Sequence, residues 1–139
     1  MKTRSMLSAI ALVGAAVGAT IALTATPASA ADTAYLEKTQ YLTSNPTDGM
    51  ATSCTSKRIE LAAGNYTWGN YRPGSFRDQY LGATTYTWTT CLDPKNGYYL
   101  QTTTLDPDQS GWATATISDN LIISPSGTWT WGSYIDPHF

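Results

Sequence analysis

Valine is nearly missing from this sequence. Its only two copies, Val13 and Val17, fall within the first thirty residues, so residues 31–139 contain none. Leu, Ile and Met together number only fourteen in that stretch. A core built there must draw on Trp and Tyr, which are among the side chains that bury the largest areas. Histidine occurs once, as His138, and cysteine twice, as Cys54 and Cys91. Three such residues are too few for an ordinary structural zinc site. A nucleophile–histidine pair would have to use a base one residue from the end of the chain. No metal and no cofactor are therefore expected. Residues 31–139 carry six Lys and Arg against ten Asp and Glu, a net charge of −4, with no basic run. That pattern lacks the electrostatic footprint of nucleic-acid binding and gives no attraction to anionic lipid.

The N-terminus is informative by its order of parts. Lys2 and Arg4 precede an uncharged stretch from Met6 to Leu23, and Pro27 and Ala28-Ser29-Ala30 follow. A basic start, an apolar middle and small residues at the cut define a secretory signal peptide. Residues 1–30 are read as that leader, with cleavage after Ala30 or Ala31, and the product is expected outside the cell. The alternative, a retained anchor, would be at the lower length limit of about 18 residues. In an oxidising compartment Cys54 and Cys91 are expected to pair. Closing that loop stabilises by about 4 kcal/mol on a chain-entropy estimate.

From Lys57 onward the apolar period is two. Ile59 and Leu61 alternate with Arg58 and Glu60, and Tyr99, Gln101 and Thr103 alternate with Leu100 and Thr102. Thr and aromatic residues suit strands. Turn signals separate the runs, among them Arg72-Pro73-Gly74, Asp93-Pro94-Lys95-Asn96-Gly97 and Ser124-Pro125-Ser126-Gly127. About seven strands at this spacing predict a single all-β domain over residues 50–139, a small antiparallel sandwich or barrel with one disulfide. Residues 31–49 read as an extended arm or, through Tyr35, Leu36, Thr39 and Leu42 behind Asp32, a short helix.

Three segments share an aromatic-Thr-Trp start and a proline turn: 66–73, 86–94 and 129–137. Their spacings of 20 and 43 are unequal, which excludes a regular array. Most of Trp68, Trp88, Trp129 and Trp131 are expected inside, because little else can fill the interior. Tyr71, Tyr98, Tyr99 and Tyr134 lie near turns, where binding surfaces form, and are the candidate binding residues. No catalytic residue is assigned. Asp93, Asp106 and Asp136 precede prolines, which points to backbone roles in turns.

The leading expectation is a secreted, non-enzymatic binding protein. Its partner is an extracellular protein or a glycan, as for an inhibitor of a secreted enzyme or a carbohydrate-binding module. Two alternatives are a small hydrolase using two of Glu37, Glu60, Asp78 and Asp119, and a structural component of a cell or spore surface.

Trp68, Tyr71 and Phe76, followed by Tyr80, resemble part of a βγ-crystallin Greek-key motif, and residues 119–124 echo that family's calcium-binding run. Asp78 stands where that family has glycine, and Ile123 replaces the hydroxyl residue of the run. The resemblance implies a Greek-key fold of the kind that some secreted microbial toxins and inhibitors carry. The whole chain also resembles small secreted proteins of actinobacteria, a likeness that implies no activity.

Overall fold

The computed structural model describes residues 32–72 and 74–138; the leader read at residues 1–30 lies outside them. Eight strands follow one another without a helix among the described residues: β1 (Ala34–Leu42), β2 (Ser53–Leu61), β3 (Gly64–Asn70), β4 (Phe76–Leu81), β5 (Thr84–Pro94), β6 (Tyr99–Pro107), β7 (Ala115–Leu121) and β8 (Gly127–Pro137). They form two antiparallel sheets, β1-β8-β3-β4 (sheet one) and β2-β5-β6-β7 (sheet two). The fold is an all-β sandwich, as the alternation predicted, with eight strands where about seven were expected.

The first strand is the main departure. Residues 34–42 form neither a helix nor a loose arm but an edge strand paired along its whole length with β8, Ala34 opposite Ile135 through Leu42 opposite Gly127. The three Asp-Pro pairs also differ from expectation. Each closes a strand: Pro94 lies opposite Tyr99, Pro107 opposite Tyr86 and Pro137 opposite Tyr66. The Asp of each pair accepts a Thr hydroxyl: Asp93 from Thr52, Asp106 from Thr114 and Asp136 from Thr33, all at 2.9–3.1 Å.

Three of the crossings between sheets are built alike. β2 leads to β3, β4 to β5 and β7 to β8. In each, the aromatic residue that opens the new strand donates to the carbonyl four residues earlier. Tyr66 bonds Ala62 at 2.6 Å, Tyr86 bonds Gly82 at 2.7 Å, and the Trp129 indole bonds Pro125 at 3.1 Å. These are tyrosine-corner contacts, which tie a bend to the strand beyond it. The aromatic-Thr-Trp repeat is therefore the sequence form of a sheet-switching corner. The second aromatic of each copy, Trp68, Trp88 and Trp131, is fully buried, and Trp129 is half-buried.

The buried indoles find partners, as buried N–H groups must. Trp68 donates to Gln79 (3.0 Å), Trp88 to Ser133 (2.9 Å) and Trp131 to Gln40 (3.2 Å). Two apolar clusters fill the interior, one around Trp68 and Trp88, the other around Trp131 and Tyr99. A polar layer occupies the strand positions between them. Thr90 contacts Thr103 and Ser133, and Thr103 donates to the Asn70 carbonyl oxygen. Asn70 and Ser133 belong to sheet one, Thr90 and Thr103 to sheet two, so the layer links the two sheets.

An internal two-fold relation runs through this layer. Residues 57–68 and 77–88 align at an offset of 20, with Leu61, Tyr66, Thr67 and Trp68 answering Leu81, Tyr86, Thr87 and Trp88. The ladders agree. Trp68 lies opposite Arg77 and Ile135; Trp88 lies opposite Lys57 and Leu105. Ile135 faces Ala34 as Leu105 faces Ala115. The edges match as well. Lys57 lies over the Trp88 ring and donates to the Tyr35 carbonyl, while Arg77 lies over Trp68 and donates to the Thr116 carbonyl. Inward-pointing cations on edge strands discourage edge-to-edge aggregation. Here they also latch the two open sides of the sandwich.

The disulfide joins Cys54 and Cys91, direct partners in the β2–β5 ladder with Cα atoms 4.1 Å apart. It sits on the outer face of sheet two and fastens an edge strand to its neighbour, rather than bridging the two sheets.

Candidate functional site

Alternation assigns each strand residue to the interior or to an outer face. In sheet one the outward positions are Tyr35, Glu37, Thr39 and Tyr41 on β1, and Thr128, Thr130, Gly132, Tyr134 and Asp136 on β8. On β3 they are Asn65, Thr67 and Gly69, and on β4 Phe76, Asp78 and Tyr80. Tyr35, Tyr41, Phe76 and Tyr80 are 54–66% exposed. They make up four of the seven large apolar or aromatic side chains that are exposed among the described residues.

The register aligns part of this set into one row. Tyr35 lies opposite Tyr134, Tyr134 opposite Gly69, and Gly69 opposite Phe76. The row crosses four strands, a span of about 14 Å at about 4.8 Å per strand. Gly69 has no room for a side chain, since a Cβ there would lie 2.2 Å from the Ser75 carbonyl oxygen and 2.7 Å from the Phe76 Cα. Ser75 lies against this glycine, and Phe76 after it stands at the end of the row.

The neighbouring row is polar. Asp136 lies opposite Thr67, and Thr67 opposite Asp78. The Thr67 hydroxyl donates to Asp78 and also contacts the His138 imidazole. His138 is not loose, for its backbone N–H donates to the Asn65 carbonyl at 2.8 Å and adds a last rung to the ladder. Asn65, Asp78, Tyr80 and His138 border a shallow concavity of about 350 Å3 at this end of the face.

The internal two-fold supplies a built-in comparison. The row on sheet two that corresponds to Tyr35–Tyr134–Gly69–Phe76 is Thr116–Thr104–Thr89–Ser56. Tyr80 corresponds to Glu60, and Tyr71 to Cys91. The scaffold positions of Tyr35, Tyr134 and Phe76 therefore hold small hydroxyl residues on the other face. Folding is satisfied by Ser and Thr at these positions, so the aromatics of sheet one are not there to make the sheet.

Of the four sequence-based candidates, two reach this face. Tyr134 lies in the aromatic row, half-buried, and Tyr71 follows β3 beside Glu37. Tyr98 lies in the β5–β6 turn, where its carbonyl accepts from Lys95, away from the face. Tyr99 belongs to the core. It is 3% exposed, and its hydroxyl accepts from the Thr43 N–H and donates to the Thr43 carbonyl. Its parity on β6 is that of Gln101, Thr103 and Leu105, all buried. The four carboxylates weighed for hydrolysis are not neighbours in any row. Glu37 and Asp78 stand on opposite edges of sheet one, Glu60 is on sheet two, and Asp119 is at an inward-parity position of β7. The two carboxylates that share a row are Asp78 and Asp136.

Phe76 and Tyr80 were missed because β4 runs against the usual pattern, with Arg77 and Gln79 inward and the aromatics outward. The signal was present. Extending the 20-residue repeat aligns Leu81 with Leu61 and Arg77 with Lys57, which fixes the parity of β4 and turns Phe76 and Tyr80 outward.

Burial raises the Tyr134 phenol above its ordinary value of 10.0, and the nearby Asp136 and Asp78 carboxylates raise it further. Burial pushes the Tyr71 phenol well above the ordinary range, with Glu37 beside it adding to the effect. The corner phenols of Tyr66 and Tyr86 are raised chiefly by burial. Native stability therefore falls as pH rises through about 10. Above that point the unfolded chain releases phenolic protons that the native state retains. Absorbance titration at 295 nm should show tyrosine ionisation that coincides with loss of near-ultraviolet circular dichroism. A titration completed with the fold intact would contradict this.

No family model, curated protein or solved structure matches the chain.

Proposed function

We propose that this chain is a secreted, non-enzymatic binding protein that holds a glycan across the outer face of sheet one. The aromatic row carries the reading, because its counterpart on sheet two shows that the scaffold does not require it. A pyranose ring has an apolar face of C–H groups and a rim of hydroxyls. Exposed Tyr and Phe side chains offer flat apolar surfaces to the first. Thr67, Asp78 and Asp136 offer acceptors and donors to the second. The face is open and crosses four strands, which suits a polymer lying along it better than a small molecule enclosed in a cleft.

The remaining features agree with work outside a cell. The leader read at residues 1–30 directs export, and the disulfide suits an oxidising compartment. The corners, latches and ladders keep the face on rigid elements, so little conformational freedom is lost when a ligand binds.

Incubation with insoluble chitin, chitosan, cellulose and bacterial cell wall tests the reading. The protein is expected to pellet with at least one of them and to be released by soluble fragments of it. A protein left wholly in the supernatant with all four would contradict glycan binding. A clean monomer in sedimentation at high concentration is also expected, since the face is reserved for another molecule; self-association through it would point instead to a surface component.

A further inference from the structure

The charges on the aromatic face point to a narrower class of ligand. We infer that the bound glycan is cationic, a polymer of 2-amino sugars with free amino groups. This inference rests on the glycan reading above and adds the charge of the ligand to it.

The outward positions of sheet one hold Glu37, Asp78 and Asp136 and no Lys or Arg. Arg72, next to Tyr71, is the nearest cation outside the strands and lies over the Trp129 ring, and the others are at inward positions and already engaged. Lys38 donates to the Cys54 carbonyl, and Arg77 lies over Trp68 and donates to Thr116. His138 is the one base on the face, and its ring contacts Thr67. Asp78 and Asp136 are held by hydroxyls alone, from Thr67 and Thr33, each through a single carboxylate oxygen. The second oxygen of each makes no hydrogen bond to a described residue.

Sheet two handles its carboxylates differently. Both ion pairs between described residues lie on its side, Arg58 with Asp108 and Lys95 with Asp93. The internal two-fold sharpens the contrast. Asp78 occupies the position of Arg58, and His138 that of Asp108. On sheet two a cation on the edge strand meets the carboxylate that follows the proline. On sheet one the edge cation is replaced by a carboxylate, beside Asp136 and next to the aromatic row. Negative charge from Asp78 and Asp136 therefore collects where the proposed ligand lies, and neither is ion-paired to a described residue.

A sugar stacked on an aromatic ring projects its equatorial substituents sideways, in the plane of the face. An ammonium at C2 would reach the free oxygens of Asp78 and Asp136 from a ring seated on Tyr134 or Phe76. Such charge complementarity sets specificity against neutral relatives of the same shape.

Calorimetry with three hexasaccharides tests this: a fully deacetylated chitosan, its N-acetylated form and cellohexaose. Chitosan is expected to bind at least about tenfold more tightly than the other two. The preference should vanish in about 0.5 M NaCl, where the screening length is about 4 Å. Asp78→Asn with Asp136→Asn should also remove it, while Asp106→Asn, the counterpart of Asp136 on sheet two, should leave it unchanged. Equal affinity for all three sugars would overturn the cationic inference and leave the aromatic face standing as a neutral glycan site. Failure to bind any of them would overturn the glycan reading itself. Poly-lysine binding as tightly as chitosan would overturn the inference by showing charge without shape.

Discussion

Alanine in place of Gly132 should destabilise the fold by about 3 kcal/mol or more, the upper end of what overpacking costs. The reason is geometric. A Cβ at position 132 would lie 2.0 Å from the Leu36 carbonyl oxygen and 3.0 Å from the Glu37 Cα. Both belong to the backbone of β1, so no side chain can swing aside. Either β1 separates from β8 or the central strand bends, and each outcome breaks ladder hydrogen bonds. For a domain near 100 residues, 3 kcal/mol corresponds to a fall in Tm of about 12–24 °C. Gly49→Ala is the control: an added Cβ there meets nothing within 4 Å, and the change should be neutral or slightly stabilising. Equal Tm for wild type and Gly132→Ala would show that β1 does not lie against β8 as described. The stakes extend to function, because β1 carries Tyr35 and Glu37.

The second large effect concerns binding alone. Tyr35→Thr, Tyr134→Thr and Phe76→Ser together give sheet one the row that sheet two already has, Thr116, Thr104 and Ser56. The fold should tolerate the exchange, because the same register holds those residues one sheet away. Tm is expected to fall by only a few degrees, chiefly through the half-buried Tyr134. Binding should fall by at least about 100-fold, since interface aromatics often contribute 2 kcal/mol or more each and every 1.4 kcal/mol is a factor of ten. Unchanged affinity with an intact fold would remove the aromatic row from the account.

How far the sequence revealed this structure depends on the element. The alternation after Lys57 places Leu61 and Trp88 inward as the ladders do, and the shortage of aliphatic residues identifies the Trp side chains as core. The pairing of Cys54 with Cys91 follows from their number and context, but its place on an outer face does not, because strand order is not written in spacing. β1 was ambiguous for a physical reason. Its inward positions include Lys38 and Gln40, which reach partners across the sandwich edge, so only Ala34, Leu36 and Leu42 remain apolar and the period of two is interrupted. Tyr99 was misplaced because proximity to a turn was weighed above its parity with Gln101 and Thr103. The aromatic face was hidden because its members come from β1, β4 and β8, which only the sheet order brings together.

The central claim is that sheet one presents a glycan-binding face that the scaffold itself does not need. Binding isotherms on the polysaccharide that pellets the wild type test it most directly. Three proteins are compared: wild type, the Tyr35→Thr/Tyr134→Thr/Phe76→Ser variant, and a variant altered on the opposite face, Ser56→Ala/Thr104→Ala/Thr116→Ala. The account predicts full affinity for the first and third and at least about a 100-fold loss for the second, with all three folded. Loss of binding in the sheet-two variant, with the sheet-one variant unaffected, would contradict it.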